Sequence, residues 1–293
     1  MHRVRFQSWR RITIRRSEAT SNVFPISENH LGENRQYTTQ LGAGLGMIQE
    51  TLDLLRLWQP GEAPKQLCAR AIREGVFSRA TARRARNIVM EMFAPRFLAD
   101  CGKSAAYLKC LVESNIPLDD LTQLFFLYTA RAQPIFADFV RDIYWSRYGA
   151  GATYLGRGDA EAIIRRALDN GRMQRRWTES MVERVAGYLV GCCADFGLLS
   201  GARRSERSIR RFSIRLKVAL YLVHDLHFSG LTDFAITRHA DWRLFGFEAH
   251  EVVNQIKGLA QDGHLIVQAT ADLVHIAWKY RSMKECIDAI TER

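Results

Sequence analysis

The amino-acid sequence predicts a mainly α-helical protein with a compact multi-helix globular fold, helix-turn-helix elements and a C-terminal winged-helix-like module that carries a small β-hairpin. Two observations predict it. From Leu41 onward, apolar residues recur mostly at spacings of three and four, the helical period. Near the C-terminus, residues 264–278 (HLIVQATADLVHIAW) instead hold two runs rich in β-forming residues around a turn.

The chain divides into three predicted parts. Residues 1–36 are Arg-rich and then polar, without a sustained period, and we expect a peripheral or flexible arm. This arm could contact nucleic acid, serve as an organellar targeting peptide, or be an over-long start of the chain. Residues 37–200 are predicted to form a helical domain, and residues 201–293 a basic connector followed by the winged-helix-like module.

The first predicted helix covers residues 44–58 (GLGMIQETLDLLRLW), which are amphipathic. One face collects the apolar residues Leu45, Ile48, Leu52 and Leu55. Pro60 and Gly61 end this helix, because neither residue continues a helix well.

Residues 67–92 have the pattern of two helices joined by a tight corner, the first helix-turn-helix. Residues 67–74 favour a helix, Gly75 can supply the left-handed residue that stops it, and Ser78 is the expected N-cap of the next helix. The second helix has a stripe predicted to be buried, made of Ala85, Ile88, Val89 and Met92. Pro95 is expected to end or kink it.

Arginines occupy another face of this second helix. Arg79, Arg83 and Arg86 fall at i, i+4 and i+7, with Arg84 beside them. Each guanidinium offers a rigid fork of donors to phosphate oxygens or to the edge of guanine. The alternative interpretation is a solvated basic face on an ordinary helical hairpin.

Further helices follow through the middle of the chain, at residues 104–114, 118–131, 135–147, 160–168 and 177–196. The second of these is very apolar and is expected to be central. Aromatic residues of the third could stack on bases, but their helical spacing favours the core: Phe136, Phe139, Tyr144, Trp145 and Tyr148. Residues 149–158 are predicted to be a loop.

The last third begins with residues 200–211 (SGARRSERSIRR), interpreted as a basic connector. Helices at 212–228, 231–239 and 248–261 and the hairpin then give the order of a winged helix. The third helix starts with Glu248 and Glu251, whose charge repels phosphate. This module could therefore use its wing or the connector for DNA, or bind protein instead.

The formal net charge of +11 is concentrated in three short blocks, residues 1–16, 65–86 and 200–217, each with a net charge of +6. The rest of the chain therefore sums to −7. Such blocks favour nucleic acid as a partner over an anionic membrane surface. The residues predicted to contact DNA are Lys65, Ser78, Arg79, Arg83, Arg84, Arg86, Arg203, Arg204, Arg207, Arg210 and Arg211.

No sequence motif indicates an enzyme, a cofactor or a metal site. His224 and His227 lie three residues apart on a predicted helix, but no third ligand has a suitable spacing. A nuclease site built from scattered acidic residues has no fixed spacing and stays open. The six cysteines form no C-x-x-C pair, which indicates reduced thiols in a cytoplasmic protein. No apolar run approaches the roughly 20 residues that cross a bilayer, so we expect no membrane insertion.

Several segments resemble the BrxA proteins of bacteriophage-exclusion (BREX) systems. They are LGAGLGMIQETLDLL, SRATARRARNIV, VAGYLVGCCADFGLL, WRLFGFEAHEVVNQIKGLAQDGHLIVQ and VHIAWKYRSMKECIDAI, spread over residues 41–290. The resemblance implies a small, mainly α-helical protein that binds double-stranded DNA within a multi-protein system that methylates host DNA and blocks phage replication. It places Arg79, Arg83, Arg84 and Arg86 against DNA. The arm at 1–36 lies outside the pattern.

We therefore expect a non-enzymatic, monomeric DNA-binding accessory protein whose contacts are dominated by phosphate. Sequence preference should be slight, because few Asn or Gln residues accompany the arginines. A competing hypothesis is a scaffold whose basic blocks dock a methyltransferase or ATPase partner from the same system. RNA binding is a third hypothesis.

Overall fold

The computed structural model describes residues 36–38, 46–77, 80–173, 176–201, 206–270 and 274–292. All of these belong to one compact unit, Glu33–Arg293. Most of them are helical, so the predicted mainly α-helical class is confirmed.

The first three helices cover the helix predicted at 44–58 and the region of the predicted helix-turn-helix. They are α1 (Ile48–Leu57), α2 (Pro64–Arg73) and α3, which runs from Ala82–Asn87 through the π-helical segment Ile88–Phe93 to Ala94–Phe97. Pro95 therefore does not end the helix. The backbone N–H of Ala94 bonds to the carbonyl of Val89, and the helix resumes with Pro95 in its first turn, where an N–H is not required.

The centre of the molecule is built around an apolar helix. The helices here are α4 (Lys103–Glu113), α5 (Leu118–Ala132) and α6, which runs from Pro134–Asp138 through the π-helical Phe139–Tyr144 to Trp145–Gly149. Phe126 of α5 is fully buried, and its ring centroid lies within 6 Å of four others, those of Phe136, Phe196, Phe212 and Phe245. Each buried Phe contributes about 2 kcal/mol of hydrophobic stabilisation. The central position predicted for this helix is confirmed.

A small three-stranded antiparallel sheet follows, with two helices inserted between its strands. The elements are β1 (Tyr154–Gly156), α7 (Arg157–Asp169), α8 (Glu179–Asp195), β2 (Leu199–Ser200) and β3 (Glu206–Ile209). β3 is the middle strand, with Tyr154 opposite Ser208 and Leu199 opposite Ile209. The predictions of a loop at 149–158 and of a plain connector at 200–211 were therefore wrong. β1 and β2 are too short to show an alternation of apolar and polar residues in the sequence. Only their pairing with β3 defines them as strands.

The C-terminal part has the predicted order of helices followed by a hairpin. It contains α9 (Leu216–Phe228), α10 (Asp233–Thr237), α11 (Ala240–Leu244), α12 (Ala249–Gln261), β4 (Leu265–Ala269), β5 (Val274–Trp278) and α13 (Met283–Thr291). The short helix predicted at 231–239 is confirmed as α10, and α11 follows it as a further short helix that the sequence did not indicate. β4 pairs with β5 in antiparallel register, and Asp233 accepts the backbone N–H of Ile276 at 2.8 Å.

A half-buried arginine joins the C-terminal helices to α5. Arg131 contacts Asp225 of α9 at 2.7 Å through Nη1 and Asp241 of α11 at 2.8 Å through Nε. Burial acts to raise the pKa of Asp241, but the charge of Arg131 holds this pKa below its usual range. Packing is thus continuous across position 200, and the division into 37–200 and 201–293 stays a prediction. Among the described residues, no helix is long and apolar enough to cross a membrane.

Candidate nucleic-acid interface

The corner between α2 and α3 is closed by a glycine in the left-handed region. Gly75 has φ +67°, its N–H bonds to the carbonyl of Ile72, and the N–H of Val76 bonds to the carbonyl of Ala71. This pair of bonds is the Schellman motif, which satisfies the last carbonyls of a helix. The helix stop predicted at Gly75 is confirmed.

The second helix of the corner begins later than the sequence suggested. Thr81 is its N-cap, and Thr81 Oγ1 accepts the backbone N–H of Arg84 at 3.2 Å. The predicted cap at Ser78 was therefore wrong, because the hydroxyl that meets the free N–H groups belongs to Thr81. Ser78 and Arg79 themselves lie outside the described residues. Of the predicted i, i+4, i+7 stripe, the described helix contains Arg83 and Arg86.

Three arginines are exposed on the first turns of α3. Arg83 and Arg86, three residues apart, lie on one side of the helix, and Arg84 points toward Met47, with Nη2 3.8 Å from its sulfur. Within the part of the chain that the structure describes, none of the three has a carboxylate partner. Lys65, on the first turn of α2, is likewise exposed and unpaired there. These side chains are free to meet an external anion.

The opposite side of α3 holds the corner in place. The predicted stripe of Ala85, Ile88, Val89 and Met92 is buried, with 3% exposure or less at each position. Arg70 of the preceding helix forms a two-donor contact with Glu62 and also donates to the carbonyl of Leu57 at 2.7 Å. Arg70 therefore stabilises the corner and does not belong to the exposed basic surface.

The third basic block is divided between free and bound side chains. Arg210 and Arg211 are exposed and have no carboxylate partner among the described residues. Arg207 is half-buried, and its Nη1 donates to the carbonyl of Gly201 at 3.0 Å. Arg215 instead pairs with Asp120, while Lys217 donates to the carbonyl of Ile290 at 2.6 Å. Arg203 and Arg204 lie outside the described residues.

Residues 46–47, which lead into α1, contact Arg84 of the second basic block and the end of α8. Met47 contacts Arg84, and the N–H of Gly46 donates to Asp195 at 2.8 Å at the end of α8. Burial raises the pKa of Asp195, while the bond from Gly46 and the charge of Arg207 act in the opposite direction.

Two arginines on the helices between β1 and β2 were not predicted from the sequence to be candidate DNA contacts. Arg157 is the first residue of α7, and a Cβ built on Gly187 of α8 would lie 3.5 Å from its Nη2, so its guanidinium lies across that glycine. Arg184 is exposed on α8. Neither has a carboxylate partner among the described residues. Neither belongs to a charge block, and only the fold brings them to one surface.

His224, His227 and Cys193 have structural roles. Nδ1 of His224 donates to the carbonyl of Leu220 at 2.9 Å, and the ring of His227 stacks on Trp278 with centroids 3.9 Å apart. Burial raises the pKa of the Cys193 thiol, which keeps it protonated and unreactive. Over the described ranges, no group of three or more His, Cys, Asp or Glu side chains could hold a metal ion.

A protein-family model and a solved structure match this chain. The family model described as BrxA matches residues 35–225. A crystal structure of an uncharacterized protein from Magnetospirillum magneticum is similar with a TM-score of 0.55 and 14% sequence identity, covering 72% of this chain and 98% of that one. This similarity shows a shared fold. No curated protein matches the chain.

Proposed function

This chain belongs to the BrxA family, and so to the proteins of BREX systems, and we propose that it serves there as a non-enzymatic protein that binds double-stranded DNA. It would act in the cytoplasm, as a monomer, and bring the other BREX components to the duplex.

The observation that carries this proposal is the set of unpaired guanidinium groups on the first turns of α3. Cations with a structural role have partners within the protein, as Arg70 has Glu62 and Lys217 has the carbonyl of Ile290. Arg83, Arg84 and Arg86 instead are exposed and have no carboxylate partner among the described residues. Keeping like charges together costs electrostatic free energy, and an external polyanion would offset that cost.

The contacts proposed here are mainly with phosphate. Arg83 and Arg86 lie beside the N-terminus of α3, whose unpaired N–H groups and helix dipole also favour an anion. The third block adds Arg207, Arg210 and Arg211, together with Arg203 and Arg204 from the chain between β2 and β3. Phosphate contacts fix the position of a protein on DNA but carry little sequence information.

Replacing two of these arginines tests the assignment. We expect the Arg83→Ala, Arg86→Ala double variant to bind a short duplex at least about tenfold more weakly at moderate salt, because neither alanine can bind a phosphate. Fluorescence anisotropy with the full chain measures this affinity. The matched control is Arg56→Ala, which removes an exposed arginine that pairs with Asp53 on α1 and should bind as the wild type does. Equal affinity for the double variant and the control would remove α3 from the interface.

A protein-docking scaffold is the second candidate, and exposed apolar residues favour it. Phe234 on α10 is 58% exposed and Ile266 on β4 is 66% exposed. Such side chains suit a partner protein such as the methyltransferase or ATPase of the same system. Purification of a partner with the wild type but not with Phe234→Ser, Ile266→Ser from nuclease-treated lysate would support docking there. Loss of duplex binding with partner binding intact would leave the scaffold as the function.

A further inference from the structure

A cavity of about 590 Å³ lies between the last turns of α6 and the chain that joins the end of α11 to the start of α12. Binding sites for small molecules commonly have volumes of about 300–1,000 Å³, so the cavity is large enough for one. Its lining combines guanidinium, carboxylate and aromatic groups, those of Arg141, Asp142, Trp145, Tyr148, Arg243 and Glu248.

Trp145 holds the two walls of this cavity together. Its Nε1 donates to the carbonyl of Leu244 at 3.0 Å. Gly246 has φ +81°, and a Cβ built there would lie 2.8 Å from atoms of the Trp145 ring, so the backbone of this glycine packs directly against the indole. These contacts fix the spacing of the walls, and the cavity therefore exists before a ligand enters it.

Arg141 is a largely buried cation that forms no hydrogen bond with the described residues. Its side chain is 17% exposed, and its ion pairs with Asp138 and Asp241, at 3.9 and 3.8 Å, are too long for hydrogen bonds. Asp138 has a closer partner in Tyr37, whose hydroxyl donates to it at 2.6 Å. Asp241 has a closer partner in Arg131, at 2.8 Å. Burial also lowers the pKa of Arg141, and an anion in the cavity would supply the hydrogen bonds that this guanidinium lacks.

A second guanidinium and the start of a helix also favour an anion in the cavity. The ion pair of Arg243 with Asp142, at 3.5 Å, joins two half-exposed side chains, so a ligand can replace it at little cost. Glu248 is the N-cap of α12, and the first N–H groups and the dipole of that helix attract negative charge. Two guanidinium groups beside a helix N-terminus are donors that suit a phosphate group.

The remaining lining residues suit a nucleoside attached to that phosphate. The Tyr148 side chain is exposed, and its ring packs edge-on against Trp145 with centroids 5.4 Å apart. Exposed aromatic surface of this kind can stack on a base. The carboxylates of Asp142 and Glu248 are acceptors for ribose hydroxyls or for base amino groups. A phosphate group alone would leave most of the cavity empty.

We propose that this cavity binds a nucleoside monophosphate, with Arg141 and Arg243 at its phosphate and Tyr148 at its base. None of the described arginines that we propose as DNA contacts lines the cavity. The inference therefore does not depend on the proposed DNA binding.

Isothermal titration calorimetry with the full chain tests this inference. Adenosine, guanosine, cytidine and uridine monophosphate would be titrated in turn, and we expect saturable binding of at least one. The matching nucleoside and ribose 5-phosphate each lack half of the ligand, and each should bind at least about tenfold more weakly than the nucleotide. Absence of saturable binding by all four nucleotides would overturn the inference.

Variants assign the two halves of the ligand to residues. Arg243→Ala should lower affinity for both the nucleotide and ribose 5-phosphate about tenfold, because one phosphate contact is lost. Arg141→Lys, which keeps the charge but loses the fork of donors, should act in the same direction. Tyr148→Ala should weaken only the nucleotide, about tenfold, because ribose 5-phosphate has no base to stack. The control Arg56→Ala should bind as the wild type does, and equal nucleotide affinity of Arg243→Ala, Tyr148→Ala and this control would overturn the assignment.

A short duplex distinguishes a free nucleotide from the DNA backbone as the source of the phosphate. With the duplex present at saturating concentration, we expect the affinity for the nucleotide to be unchanged. Displacement of the nucleotide by the duplex would instead assign the cavity to the DNA backbone and overturn the inference.

Discussion

His224 is a buried imidazole within an aromatic cluster of the C-terminal part. Its ring contacts Trp278 and Tyr280, with centroids 5.1 and 5.2 Å away, and no solvent reaches it. Burial lowers the pKa of His224 to about 4, and the nearby His227 and His264 act in the same direction. The folded protein therefore holds His224 neutral at pH values where the unfolded chain would protonate it.

This difference makes stability depend on pH. Between pH 6.5 and about 4 the unfolded state binds the extra proton, so the free energy of unfolding should fall as the pH falls, by up to about 3 kcal/mol for this one group. His224→Phe should flatten this part of the profile, which urea denaturation at several pH values measures. His250→Gln, at an exposed position of α12, should keep the wild-type profile. An unchanged slope in His224→Phe would show that another group causes the acid sensitivity.

Arginines show what the sequence could and could not reveal about single residues. The charge blocks were visible, and Arg83, Arg84 and Arg86 are as exposed as the pattern of α3 suggested. Which cations are neutralised was not visible, because Arg215 and Asp120 pair across 95 positions of the chain. The position of Arg157 could not be predicted for the same reason, because its place over Gly187 depends on how two helices pack.

Two glycines at helix boundaries have similar backbone angles but different surroundings. Gly75 has φ +67° and open space where a Cβ would be, whereas at Gly102, with φ +81°, a Cβ would lie 2.7 Å from a ring carbon of Trp58. Trp58 is almost fully buried, with 2% exposure, and cannot move aside easily. The first position needs glycine only for its backbone, and the second also needs the missing side chain.

Alanine at these positions should separate the two effects. Gly75→Ala is expected to lower the free energy of unfolding by about 1 kcal/mol, from the left-handed backbone alone. Gly102→Ala should lower it by about 3 kcal/mol, because a steric clash adds to that cost. Urea denaturation measures both values, and Gly75→Asn should restore most of the stability at the corner. Equal effects of the two alanine variants would contradict the packing described around Trp58.

Helices and strands could be predicted where the residue pattern that specifies them lies within one short stretch of the sequence. The α2–α3 corner, the apolar α5 and the C-terminal hairpin each follow from residues near one another in the sequence. The three-stranded sheet does not, because β2 has two residues and β1 three, and they become strands only by pairing with β3. The start of α3 was misplaced because Ser78 and Thr81 are both cap-forming residue types and Ser is the more strongly preferred of the two.

At the scale of the molecule, the described arginines divide between ion pairs within the packing and exposed side chains. Ion pairs such as Arg131 with Asp225 and Asp241 lie within the packing, while the arginines of α3 and those that follow β3 remain exposed. Both groups of exposed arginines belong to the same compact unit, which allows them to meet one polyanion. The central claim is therefore that several separate guanidinium groups meet phosphates of the same duplex.

The measurement that tests this claim most directly is the salt dependence of duplex affinity for the full chain. Removing one arginine that binds a phosphate should make the slope of log affinity against log salt shallower by about 0.9. We predict a steep slope for the wild type, a slope shallower by about 1.8 for Arg83→Ala, Arg86→Ala, and an unchanged slope for Arg56→Ala. A wild-type slope near zero, or the same slope in all three proteins, would contradict the account.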